Sequence, residues 1–191
     1  RSQKRTRRPS IFCRGTCTVN FKGASTTSRI AIVPARGGSK RVQRKNIRRF
    51  SGKPLLYWSI ETALRSQLFE HVIVSTDDHE IATIAAQAGA ETPFFRPAEL
   101  SDDFASTTAV IQHALKELGM SAENQDEVLC LYPTAVLVTP EDIVQAHRLL
   151  DNSGSFVTSI VRYAHPIQRA LTHNSVGRLY PLSPSDLSER T

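Results

Sequence analysis

The sequence predicts an α/β domain of three layers, with helices on both faces of a mostly parallel sheet. Three observations carry this. Short apolar runs at Ile30–Val33, Val72–Ser75 and Glu127–Tyr132 have the length of buried strands. The stretches between them place their apolar residues at helical spacing. The chain has 191 residues, 40% of them hydrophobic, enough to bury a core. Strands that alternate with helices make a parallel sheet covered on both sides.

Residues 1–29 show no period and read as a basic, disordered extension. Ile30–Val33 is the first strand, ended by Pro34. Gly37 and Gly38 mark a turn. Pro54–Leu68 is a helix whose face carries Leu55, Leu56, Ile60, Ala63, Leu64 and Leu68, and Pro54 suits its first turn. Val72–Ser75 is the second strand. Asp77 or Asp78 caps the next helix, which turns Ile81, Ile84, Ala85 and Ala88 inward and stops at Gly89. Glu91–Phe95 is a short extended piece, and Ala105–Leu118 is helical. Glu127–Tyr132 is a strand. Thr139–Leu150 is a helix, with Thr139 as cap, Pro140 at the first position and Asp142 three residues after the cap. Ser155–Val161 is the last expected strand. In parallel sheets ligands sit beyond the carboxyl ends of the strands. Pro34–Asn46, Ser75–Asp78 and Tyr132–Leu137 should therefore meet at one crevice.

The net charge of +6 is unevenly spread. The first 53 residues carry sixteen Lys and Arg and no acid, whereas from Pro54 onward eight bases face eighteen acids. A basic loop on an acidic body reads as a local anion site. It does not read as a nucleic-acid surface, because no aromatic-interleaved basic motif or recognition helix accompanies it. No apolar run has the length of a membrane span. The N-terminus lacks the apolar centre of a signal peptide, although its Arg, Ser and Thr content is that of a transit peptide. Cys13, Cys17 and Cys130 have no second Cys/His cluster to complete a zinc site and read as free thiols. That points to a reducing, cytoplasmic setting.

The anion site centres on Arg36–Asn46, RGGSKRVQRKN. Gly37 and Gly38 allow a tight turn and close approach of backbone N–H groups to a ligand. Arg36, Lys40, Arg41, Arg44 and Lys45 can surround that ligand with charge, and a triphosphate suits the combination. Neither a Walker A string nor G-x-G-x-x-G occurs. On composition the loop reads equally as another kind of nucleotide loop or as a solvated cationic turn.

Several ordered strings decide between these: PARGGSKR, RKNI, GKPL, VIVSTDD, FFRPAELSDDFAST, LYPTA and HPIQRAL. Together they resemble the nonulosonate cytidylyltransferases, the CMP-sialic acid synthetase-like family. RPAELSDDF, LYPTA and PIQRAL are more similar to its pseudaminic acid branch than to its sialic acid branch. The resemblance implies a Rossmann-like nucleotidyltransferase sheet of the nucleotide-diphospho-sugar transferase type. It implies an enzyme that transfers CMP from CTP to a nine-carbon 2-keto-3-deoxy sugar acid and releases pyrophosphate, with Mg2+ as cofactor and a homodimer as the active form. By motif match, Arg36, Gly37, Gly38, Ser39 and Lys40 would cradle the phosphates. Arg36 and Lys45 would be catalytic, Lys45 meeting the charge that grows on the leaving pyrophosphate. Asn46 would contact the nucleotide, and Arg96 with Ala105, Ser106 and Thr107 would read cytosine. Gln168 and Arg169 would meet the sugar acid, and Asp77 would be a metal ligand.

The residues also carry plainer readings. Arg96 could pair with Glu99, Asp78 reads as a helix cap, and His113 as packing. Tyr132 reads equally as core or as substrate wall. The chain departs from the family pattern at Gln43 and Val136, where proline is usual. It also reaches Thr191 before the segment that carries the family's magnesium aspartates and dimer contacts, and Asp186 and Glu189 do not replace them. The expectation is a C-terminally truncated chain with a partial nucleotidyltransferase domain over 30–191 and very low activity. The alternatives are a sialic acid cytidylyltransferase or an inactive nucleotide-binding fragment.

Overall fold

The computed structural model describes residues 28–39, 42–120, 126–153, 156–160 and 171–181. The extension with Cys13 and Cys17, together with Lys40, Arg41, His165, Gln168, Arg169, Asp186 and Glu189, lies outside the described residues. The chain divides into two units, Arg1–Leu149 and Leu150–Thr191.

In the first unit, β1 (Arg29–Pro34) is the central strand. It pairs in parallel with β4 (His71–Ser75) on one side and β5 (Glu127–Cys130) on the other. Beyond β4, Glu91 and Phe95 make isolated parallel bridges to Ile73 and Thr76. The expected extended piece therefore lies at this edge. β1 is buried on both faces, which is why it reads as a continuous apolar run. Ala31 and Val33 pack with Leu56, Ile60, Ile81 and Ile143. Ile30 and Ile32 pack with Ala114 and Leu118. So α1 (Leu55–Ser66), α2 (His79–Gln87) and α4 (Pro140–Ser153) contribute to one face and α3 (Thr107–Glu117) to the other.

The caps are local; those at Asp78 and Thr139 fall on expected residues, and Ser106 is a further one. Asp78 accepts from the backbone N–H groups of Glu80 and Ile81, and Ser106 accepts from Ala109. Thr139 and Asp142 form a reciprocal capping box, at 2.9 Å from Thr139 N to the carboxylate and 3.2 Å from Asp142 N to the hydroxyl. Gly89 stops α2 region helix at φ +93°. One hairpin was not expected. β2 (Arg49–Phe50) pairs with β3 (Lys53–Pro54) across Ser51 and Gly52, both at positive φ. That is the backbone a two-residue hairpin turn requires, and Pro54 accordingly precedes α1 instead of lying in its first turn.

In the second unit, β6 (Leu171–His173) and β7 (Leu179–Pro181) form an antiparallel hairpin. The Asn174 side-chain oxygen accepts from the N–H groups of Val176 and Arg178 to shape its turn. The strand expected over Ser155–Val161 is not formed at its described residues, 156–160. Phe156 and Ile160 are exposed there. An apolar run becomes a strand only when a neighbour accepts and donates its backbone hydrogen bonds.

Candidate nucleotide-binding site

β4 and β5 leave β1 on opposite sides, so the carboxyl ends of β1 and β5 mark the switch point of the sheet. A cleft of about 400 Å³ opens there. The basic loop contributes Arg36, Ser39, Lys45 and Asn46 to its walls. Arg96, Ala105 and Thr107 line another part, and Tyr132, Pro133 and Thr134 follow β5 into it. Of the three strand ends expected to meet, those after β1 and β5 do so, whereas Ser75–Asp78 is not part of this lining; seven of the expected nucleotide-site residues stand in it, together with Tyr132.

The basic loop is tied down at both ends. Ala35 N–H continues the sheet by donating to Ser75 O at 2.9 Å. Gly37 N–H then donates to the Asp77 carboxylate at 2.9 Å. A Cβ on Gly37 would stand 2.5 Å from Asp78 Oδ2, so only glycine fits against that carboxylate. Gly38 would meet nothing within 4 Å. Neither glycine is at positive φ, so the turn expected of them does not use left-handed backbone. Asn46 is buried and its Nδ2 donates to Arg36 O at 2.9 Å, closing the loop on itself.

The cations divide in a way the sequence does not show. Arg36 lines the cleft, yet its guanidinium donates to the Asp102 carbonyl and to the Asp103 carboxylate. Arg44, expected to surround the ligand, instead donates to Asp78 and Glu80 at the start of α2. The Asp78 and Glu80 contacts raise its pKa. Lys45 lines the cleft and has no ion-pair partner among the described residues.

Arg96 is 6% exposed, and its Nε and Nη2 have no hydrogen-bond partner among the described residues. Burial pushes its pKa down, the Asp77 carboxylate pushes it back up, and Arg36 lowers it again. Its acidic neighbour is Asp77, at 4.0 Å, and not Glu99. A buried cation with unspent donors at a cleft is a high-cost arrangement that a ligand would relieve. Asp102 shapes the next segment, accepting from the N–H groups of Phe104 at 2.9 Å and Ala105 at 2.7 Å. The Ser106 hydroxyl caps α3, while Thr107 Oγ1 lies 2.6 Å from Tyr132 OH at the cleft wall. Tyr132 is half-exposed and is therefore wall, not core. His113 packs on the Phe94 ring at 5.5 Å, as a structural residue would. Sequence reasoning missed Asp102 and Asp103 as partners of Arg36. The one signal was an acidic pair within a strand-to-helix connection.

A family-model match follows this geometry: the model described as cytidylyltransferase fits residues 30–185. The chain belongs to the cytidylyltransferase family. It is 42% identical over 163 residues to the pseudaminic acid cytidylyltransferase of Campylobacter jejuni, covering 85% of this chain and 70% of that protein. It is 38% identical to the CMP-N,N'-diacetyllegionaminic acid synthase of Legionella pneumophila, over 69% of this chain and 56% of that one. An N-acylneuraminate cytidylyltransferase of Escherichia coli O18:K1:H7 is also 38% identical, over 74% of this chain and 33% of its own. Among solved structures, a CMP:2-keto-3-deoxy-manno-octonic acid synthetase complexed with CTP superposes with a TM-score of 0.56. At 19% identity it covers 68% of this chain and 49% of its own, and it supports the fold.

The expected Rossmann-like nucleotidyltransferase sheet and the expected enzyme family are thus both found. No helix among the described residues is long and apolar enough to cross a membrane. Cytidylyltransferases of this fold generally use a divalent metal. The carboxylates at and beside the cleft already accept from protein donors, and Asp77, the expected metal ligand, is not among the residues that line it. Asp77 takes the Gly37 amide, Asp102 the Phe104 and Ala105 amides, and Asp103 the Arg36 guanidinium. Asp102 and Asp103 are the two described carboxylates of the cleft wall, and a divalent ion there would compete with these donors.

Proposed function

We propose that this cytidylyltransferase binds CTP in the cleft and transfers CMP to a nonulosonic acid, pseudaminic acid in first place, with release of pyrophosphate. The observation that carries the reading is Arg96, buried at the cleft with two donors unspent. Cytosine offers a carbonyl oxygen and a ring nitrogen as adjacent acceptors, which a guanidinium fork can serve, and backbone carbonyls near Ala105 can take its amine. The triphosphate would then run toward the basic loop, where Arg36, Ser39 and Lys45 stand.

In the reaction an anomeric hydroxyl oxygen forms a bond to the α-phosphorus. The bond from that phosphorus to the oxygen bridging the β-phosphate breaks, and the hydroxyl proton is lost. The protein's task is alignment and charge stabilisation. Lys45, a cation at the cleft without an acidic partner among the described residues, is placed in this reading against the departing pyrophosphate. Arg36 joins it once it exchanges Asp103 for phosphate. Mg2+ would supply further charge neutralisation on the triphosphate, and no role of the chain's residues depends on it here. Gln168 and Arg169 as sugar ligands, a homodimer and a cytoplasmic setting complete the proposal.

The test is pyrophosphate release by the full chain with CTP and a panel of nonulosonic acids. The proposal expects the highest kcat/KM for pseudaminic acid. A higher value for N-acylneuraminate would move the chain to the sialic acid branch. Release that is equally fast with GTP in place of CTP would overturn the reading.

A further inference from the structure

We infer that Arg44 is a positioning residue and not a phosphate ligand, and that Asp78 holds it so that Lys45 and Asn46 face the cleft. The inference rests on reading the cleft as a phosphate site. It assigns the anchoring of the loop's two described ends to two consecutive carboxylates at the start of α2.

Asp78 uses both oxygens. Oδ1 caps α2, at 2.9 Å from Glu80 N and 3.1 Å from Ile81 N. Oδ2 receives Arg44 Nη1 and occupies the space that a Cβ on Gly37 would take. Arg44 Nη2 reaches Glu80, so the guanidinium spans two carboxylates of the helix terminus. One residue earlier, Asp77 holds the Gly37 amide at 2.9 Å. The entry and the exit of the loop are thus fixed to neighbouring positions of one rigid element.

Arg44 itself is left-handed, at φ 54°, a conformation that a non-glycine residue keeps only when its surroundings impose it. The two residues that follow are the ones that matter for the ligand. Lys45 and Asn46 begin a short 3-10 turn, both line the cleft, and Asn46 holds the Arg36 carbonyl. Releasing the Arg44 side chain frees the left-handed residue to relax and turns this pair away. A guanidinium neutralised by two carboxylates also adds little field of its own at the cleft.

The sign of one substitution separates the two roles. Asp78→Asn keeps an oxygen for the helix cap but removes the charge that holds Arg44. If Arg44 were a phosphate ligand restrained by Asp78, freeing it would tighten phosphate binding. If it is a strut, freeing it loosens the loop and weakens binding. The experiment is calorimetric titration of the full chain with inorganic pyrophosphate. Asp78→Asn and Arg44→Gln are each expected to weaken it about fivefold or more, and the double variant no further, because they break one contact. Arg44→Lys, which keeps the charge but not the fork, should fall between. In a Lys45→Ala background the effect of Arg44→Gln should shrink, since it acts through Lys45. If Asp78→Asn proves unstable, Glu80→Gln opens the other end of the fork without touching the cap, and weakening is again expected. Tighter pyrophosphate binding by Asp78→Asn, values within twofold of wild type, or additive losses in the double variant would each overturn the inference. A wild-type chain that binds pyrophosphate but does not prefer CTP would instead sink the proposed function and leave the strut standing.

Discussion

Arg96 Nη2 stands 4.0 Å from Asp77 Oδ1, close enough for charge compensation and too far for a hydrogen bond. The guanidinium is therefore neutralised from one side while its Nε and Nη2 remain without partners among the described residues. Such an arrangement is costly to the empty protein. Arg96→Met keeps much of the volume and removes a desolvated charge, and the Asp77 carboxylate it leaves behind is part-exposed and still accepts from the Gly37 amide, so no buried charge is stranded. Its melting temperature is expected to equal or exceed that of wild type, while CTP affinity falls about tenfold or more, the scale of hydrogen bonds from a charged donor. Thermal unfolding and calorimetry on the same sample check both. A large fall in melting temperature would show that Arg96 is a structural residue.

Lys45→Ala is expected to lower turnover far more than it weakens CTP binding. The charge this ammonium would meet grows as pyrophosphate leaves, so the contact strengthens in the transition state. Donors of that kind are worth roughly 3–4 kcal/mol. Steady-state kinetics with a sugar acid at saturation separate the two effects, and a change confined to KM would place Lys45 in ground-state binding.

Asp103 occupies the guanidinium of Arg36 at the cleft. A triphosphate that takes Arg36 must displace this carboxylate. Asp103→Asn is therefore expected to tighten CTP binding several-fold, on the order of 1 kcal/mol for an exposed pair. The gain should vanish in an Arg36→Gln background. Weaker binding by Asp103→Asn would mean that the pair persists in the complex and orients Arg36.

The Arg44–Asp78 contact carries a pH signature. Burial pushes the Asp78 carboxyl up, but the Arg44 guanidinium and the Ile81 and Glu80 amides outweigh it and leave the pKa lowered. A depressed folded pKa means that the contact contributes fully above the ordinary carboxylate range, about 4, and is lost as pH falls through the folded value. The stability difference between wild type and Arg44→Gln in urea melts should therefore be largest at neutral pH and shrink below about pH 4. A difference that is unchanged at pH 3 would assign the effect of Arg44 to packing.

Local features were legible in the sequence. The caps at Asp78 and Thr139 sit within three residues of the groups they satisfy, and β1 shows as an apolar run because both its faces are buried. The ordered motifs placed Arg36, Lys45, Asn46, Arg96 and Thr107 at one site, and they do line one cleft. What was not legible is long-range pairing. Arg36 and Asp103 are 67 residues apart and Arg44 and Asp78 are 34 apart, and no local pattern joins them. Gly37 looked like a turn residue, but the carboxylate that requires it comes from another strand end. The Ser51–Gly52 turn carried a readable signal, yet its strands have only two residues each and no period to detect. At residues 156–160 the apolar composition was readable, but no strand forms there among the described residues.

Whether the cleft selects cytosine through Arg96 is decided by a nucleotide titration. The full chain, wild type and Arg96→Met, would be titrated calorimetrically with CTP and with GTP under one set of conditions. Wild type is expected to bind CTP and not GTP, because guanine carries N–H donors on the edge where cytosine carries its carbonyl and ring-nitrogen acceptors, and its own acceptor pair, O6 and N7, lies on the other edge of a larger ring. Arg96→Met is expected to lose that preference. Equal affinity of wild type for CTP and GTP would contradict it.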